Sequence, residues 1–245
     1  NENKNLHTKG EIIMKPMKSA SAKTIFEELK RSAGSFGEKD QALLHCESAL
    51  MQTGRIYEAF DEFVRTPNPK SSATDHRMAV EKKAGELWKK CEAELMSAKD
   101  HLKQRDIEMN HVIDALLGIV DANEKPFQAT EVRQALKAMS KQERLACLHT
   151  AIEGNDTTVM GSVFSGHSFL SGLTQGQHRQ YRQSAALKNA QSEMKLKGIL
   201  KHADELCDMQ LNRIAANVQG LTSKSINRLA EQADAASDKL KKAMA

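Results

Sequence analysis

The chain has 245 residues, 40% of them apolar but only 4% aromatic, with four prolines. Its 36 basic and 32 acidic residues leave a formal charge of +4, too balanced to mark a nucleic-acid binder by charge alone. No apolar stretch approaches the ~18 residues of a membrane span or forms a signal-peptide core, which argues against membrane insertion and Sec export. With so few aromatic side chains the cores must be thin seams of Ala, Leu and Met, so the composition predicts an elongated all-α protein whose remaining apolar surface meets neighbouring chains.

Residues 1–19 are polar and Lys-rich and read as a flexible N-terminal arm. Residues 20–66 read as a small helical subdomain: Ile25, Phe26 and Leu29 open it, Gly34 to Gly37 break it, a second helix runs from Glu38 through Met51, and Gly54 punctuates it. Tyr57, Phe60, Phe63 and Val64 then form an aromatic stripe of the kind that packs a core. Pro67 and Pro69 fix a linker at 67–73, because neither they nor the residues before them continue a helix.

The strongest signal lies in 74–122. Ala84, Trp88, Cys91, Leu95, Ala98, Leu102, Arg105, Met109, Val112, Leu116 and Ile119 follow a 4,3 spacing, the heptad pattern that keeps one seam of a helix against a partner helix. Small Ala84, Cys91 and Ala98 alternate with large Trp88, Leu95 and Leu102, which suits close interdigitation. Trp88, Cys91, Leu95, Ala98, Leu102 and Met109 are accordingly the expected seam toward a partner helix or a second copy. Arg105 is its one charged member, there to fix register or to reach solvent. Ile113, Ala115, Leu117 and Val120 widen the stripe at the far end, so that end is expected inside a folded body.

Residues 123–176 read as a hinge of short helices rich in glycine. Thr130 to Arg133 starts one helix; Ser140 and Glu143 form a capping box for the next; Gly154-Asn155-Asp156 ends it and caps another; Thr174 and Gln177 form a second capping box. Phe164, Phe169, Leu170 and Leu173 are expected to make a small core there. Residues 177–245 read as one long C-terminal helix, with Leu196, Leu200, Ala203, Cys207, Leu211, Ile214, Val218 and Leu221, then Leu229, Ala233, Ala236 and Leu240, near a period of 3.6. The fold class is therefore all-α, with a long heptad-repeat helix and a long C-terminal helix.

Glu108-x-x-His111 has the spelling of a carboxylate-bridged di-metal helix, but it occurs once, and in the seam's register Met109 and Val112 point inward instead. Gly166-His167-Ser168 lacks the second glycine and the preceding strand of a nucleophile elbow. No P-loop or G-x-G-x-x-G occurs. Cys46, Cys91, Cys147 and Cys207 are far apart among apolar helix positions, with no C-x-x-C pair, and read as reduced core residues. No catalytic residue, metal or cofactor is expected. From Gln175 to Lys201 six basic residues against Glu193 alone leave a local +5, so Arg179, Arg182, Lys195, Lys197 and Lys201 are the candidate phosphate contacts if nucleic acid is bound.

The stretch from Glu143-Arg144-Leu145 through Gly154-Asn155-Asp156, with Val159, Val163 and Phe169-Leu170-Ser171-Gly172-Leu173-Thr174, resembles a pattern in uncharacterised helical proteins encoded among the virion genes of tailed bacteriophages. That resemblance implies a head, neck or internal-core component without enzymatic activity. It implies synthesis in the host cytoplasm followed by incorporation in the virion, with other copies or other virion proteins as partners. Weak nucleic-acid association is the alternative, and no membrane partner is expected.

Overall fold

The structure is a computed structural model and describes residues 19–66 and 72–221. Among these the fold is all-α: nine α-helices and two short 3-10 turns, with no strand. They form two compact units, one from the described residues up to 100 together with those from 203 onward, and one from 101–202. The predicted arm at 1–18, the linker at 67–71 and the apolar series beyond Leu221 lie outside the described residues.

In the first unit α1 (Ser19–Ala33) and α2 (Gln41–Arg65) pack together. Gly34 bends the chain between them at φ +51°, a conformation that costs glycine little. Asp40 then caps α2, its carboxylate accepting from the amides of Ala42 at 3.1 Å and Leu43 at 3.3 Å. Gly54 does not interrupt α2; it is buried within a continuous helix of 25 residues. A missing Cβ weakens a helix by only about 1 kcal/mol, which tertiary packing overrides. Tyr57 and Phe60 are buried as expected, whereas Phe63 is exposed, its ring 5.7 Å from that of His76.

Helix α3 (Ala73–Leu116) runs 44 residues and contributes to both units. Its buried positions are Val80, Ala84, Leu87, Cys91, Leu95, Ala98, Leu102 and Met109, with Ile113 near its end and Leu117 just beyond. Val112 and Leu116 are exposed, against the strict heptad. A straight helix advances 3.6 residues per turn, so stepping from Leu95 brings the inward face to 113 and 117, not to 112 and 116; a sequence repeat of 3.5 keeps its face only if the helix supercoils. Arg105 resolves toward the surface, where its guanidinium meets Glu108 at 2.8 Å.

The rod also ends earlier than the pattern implied. Gly118 sits at φ +72° and closes α3 before a separate short helix, α4 (Ile119–Glu124). A Cβ on Gly118 would lie 2.3 Å from the Thr157 carbonyl oxygen. In the same place a Cβ on Gly161 would lie 2.1 Å from the Gly118 carbonyl oxygen. Two glycines thus let the α3–α4 junction touch α7 (Thr157–Phe164) backbone to backbone.

The rest of the second unit is α5 (Pro126–Ala138), α6 (Lys141–Glu153), α8 (Gln175–Asn189) and the first part of α9 (Gln191–Leu221). Helix α5 begins at Pro126, four residues before the predicted start, with proline at the first helical position, where its missing N–H has no cost. Both predicted capping boxes are present, at Ser140 with Glu143 and at Thr174 with Gln177. Gly154, Asn155 at φ 53° and the N-cap Asp156 make the predicted stop and restart. The long C-terminal helix is two helices: Ala190, at φ −136° and ψ 47°, separates α8 from α9. Around α7 the core gathers Ile113, Leu117, Leu136, Leu148, Ile152, Met160, Val163, Phe164 and Leu173.

Candidate assembly surface

Much of the heptad seam is packed inside the chain. Cys91, Leu95, Ala98, Leu102 and Met109 are buried and Trp88 is half-buried. In the first unit α2 and α9 both reach α3: His45 Nε2 lies 3.3 Å from Ser97 Oγ, and Lys99 is paired with Asp204 at 3.4 Å and with Asp208. Burial pushes the Lys99 ammonium pKa down, but hydrogen bonds and charge from Asp208 and Asp204 outweigh it and hold the pKa above its usual value. Five of these six positions pack inside the chain, and a heptad pattern specifies a helical partner without saying whether that partner belongs to the same chain.

The basic stretch is similarly partitioned. Arg182 pairs with Asp114, Lys188 with Glu153, and Lys197 with Asp106 at 2.8 Å while donating to Asn110 at 2.7 Å. Arg179, Lys195 and Lys201 are exposed, the first on α8 and the others on α9. Two of the five candidate phosphate contacts are thus committed to acids of α3, and the remaining three do not share one helix.

Glu108 and His111 are both exposed, and Glu108 accepts from Arg105. Among the described residues no three of His, Cys, Asp and Glu gather closely enough to hold a metal ion. The Gly166-His167-Ser168 turn is a bend into a 3-10 segment, Ser168–Ser171. Among the described residues no helix is long and apolar enough to cross a membrane.

What the second unit does present is a set of large apolar side chains. Phe164 and Leu173 are core residues as expected, but Phe169 is 63% and Leu170 38% exposed, contrary to the predicted small core. Phe127 at the start of α5 is 88% exposed. Val112, Leu116 and Val120 are exposed as well.

The turn that carries Phe169 and Leu170 is held from several sides. Backbone bonds run from the Leu170 amide to the His167 carbonyl at 3.0 Å, from Gly172 to Phe169 at 3.2 Å and from Leu173 to Ser168 at 3.0 Å. The His167 and Phe169 rings stack at 5.8 Å. Gly172 closes the turn at φ +70°, and its carbonyl accepts from Arg144 Nη1. The same guanidinium donates through Nε to the Leu136 carbonyl at 2.8 Å, and through Nη2 to Met139 at 2.8 Å and Lys137 at 3.1 Å. The C-terminal carbonyls of a helix have no partner within it; here Arg144 of α6 supplies one for α5 and ties the end of that helix to the Phe169 turn. On the other side Arg133 donates to the Ser162 carbonyl at 2.9 Å.

An exposed apolar pair on a stiff turn loses little conformational freedom when it is covered, which is how interface anchors gain affinity. The class defined by this fold is an all-α, two-unit chain that displays apolar side chains on an ordered scaffold. Compared with protein-family models, with curated proteins and with solved structures, it matches none.

Proposed function

We propose that the chain is a non-enzymatic assembly protein, working by self-association or by docking onto a larger structure through the apolar surface of its second unit. The observation that carries this reading is the exposure of Phe169 and Leu170 on a turn fixed by Arg144. Phe127 adds a third exposed anchor on α5, a helix that packs against that turn. The stretch from Glu143 to Thr174, which carries the turn, is also the stretch that resembles helical virion proteins of tailed bacteriophages, so the proposed setting is the head, neck or internal core of such a particle.

Light scattering of the purified chain over a concentration series, alone and with candidate virion proteins, tests the proposal. A complex that Phe169→Ser weakens while the thermal transition stays in place supports it. Two results oppose it: a monomer under every condition, or tight DNA binding near 0.15 M salt that Arg179→Glu with Lys195→Glu abolishes. The second would favour phosphate recognition by the exposed cations, whose binding is otherwise expected to vanish at that salt because few contacts are available.

A further inference from the structure

Two of the four cysteines, 161 positions apart in sequence, meet in the core of the first unit. Cys46 of α2 and Cys207 of α9 are fully buried, with their sulfurs 3.4 Å apart, and Cys46 Sγ lies 3.9 Å from the carbonyl of Ala203, one turn before Cys207. Nothing in the spacing of the cysteines along the chain signals this meeting; folding creates it. Two sulfurs in contact are about 1.4 Å beyond disulfide bonding distance.

We infer that Cys46 and Cys207 are a redox-responsive dithiol, which a low-molecular-weight disulfide oxidises to a cross-link between α2 and α9. One thiol loses its proton and attacks a sulfur of the oxidant, forming a mixed disulfide and expelling one small thiolate. The second thiol then loses its proton and attacks the protein sulfur of that intermediate, expelling the other small thiolate. The pair gives up two protons and two electrons, and the oxidant leaves as two thiols.

The surroundings determine when this happens. Its hydrogen bond with Cys207, followed by burial, pushes the Cys46 thiol far above its ordinary pKa, so Cys46 rests as the unreactive, protonated thiol. Reaction therefore proceeds when α9 opens locally, and the finished bond, buried again, is shielded from reductants. The reduced chain and the oxidised chain then differ in one respect: residues 46 and 207 are joined, closing a loop that spans most of the described fold. Cys46 and Cys207 belong to the first unit, and the proposed assembly surface to the second.

The full-length chain is equilibrated in glutathione buffers of graded ratio, under native conditions and in urea, starting from both the reduced and the oxidised protein so that burial cannot mask the endpoint. Acid quenching, alkylation and peptide mapping then identify the linked cysteines. The expected result is a Cys46–Cys207 link that forms in native buffer at ratios at least ~100-fold more reducing than in urea, since the fold holds the thiols together while the open chain must close a long loop. The oxidised protein should also melt at least about 5 °C higher, reverting on reduction. A link no easier to form in native buffer than in urea, or one that involves Cys91 or Cys147 instead, would overturn the inference.

Discussion

Replacing Arg144 tests the scaffold behind the proposed surface. In the native fold one guanidinium satisfies four carbonyls, and three of those bonds, to Leu136, Met139 and Gly172, are partly buried; the fourth, to Lys137, is solvent-exposed. A hydrogen bond contributes about 1 kcal/mol net, and one from a charged donor somewhat more. Counting the three sheltered bonds and discounting the exposed one, Arg144→Ala should cost about 3 kcal/mol. Arg144→Lys should recover only part of this, because an ammonium donates from a single point and cannot span acceptors on α5 and on the Phe169 turn together. Since the chain forms two units, a single global unfolding free energy is a poor readout. Hydrogen exchange at the amides of Met139, Leu170, Gly172 and Leu173, alongside urea unfolding, follows the affected region directly. A loss under about 1 kcal/mol for the alanine variant, or full recovery with lysine, would refute the clamp.

Three further outcomes follow from local geometry. Gly161→Ala would drive a methyl group into the Gly118 carbonyl, with its Cβ 2.1 Å from that oxygen, and should destabilise the second unit by about 3 kcal/mol or more; Gly198→Ala, in a helix with nothing within 4 Å of the new Cβ, should instead stabilise by up to about 1 kcal/mol, and thermal melts compare the two. Gln210 is 1% exposed and its amide has no hydrogen-bond partner among the described residues, so Gln210→Met should leave stability unchanged or raise it by about 1 kcal/mol in urea titration; a clear loss would show that the amide has a partner. Hydrogen bonds from the Ser140 side chain and backbone hold the Glu143 carboxyl below its usual pKa, and a group depressed in the folded state stabilises above its unfolded pKa and loses that contribution as pH falls through the folded value. The melting-temperature advantage of the wild type over Glu143→Gln should therefore be present at pH 7 and shrink below about pH 4.5, whereas an advantage independent of pH would contradict the charged capping box.

The parts of this fold that were legible in the sequence are those decided within one or two turns of helix. Ser140 with Glu143, Thr174 with Gln177 and the Gly154-Asn155-Asp156 stop are local exchanges of hydrogen bonds, and they stand where the residues place them. Tertiary contact decided the rest. Gly54 and Gly118 are the same residue in similar helical surroundings, yet α2 passes through the first and α3 ends at the second, where the Thr157 backbone presses close. The phase of α3 drifted from Leu116 to Leu117 because the helix follows its own period, not the heptad's. Phe169 and Leu170 looked like core residues by hydropathy; their 3-10 turn directs them outward. Arg144 gave no sequence signal, since its four acceptors are backbone carbonyls, and the meeting of Cys46 with Cys207 depends on long-range packing alone.

The central claim is that Phe169 is covered by another protein chain when this one is at work. A photoreactive phenylalanine analogue incorporated at position 169, with a second preparation carrying it at the exposed position 183 of α8, reads this directly. Irradiation at position 169 is expected to join the chain to a second copy or to a candidate virion protein in high yield, and irradiation at position 183 to do so rarely. Equal yields from the two positions, or cross-links from 169 confined to its own chain, would contradict it.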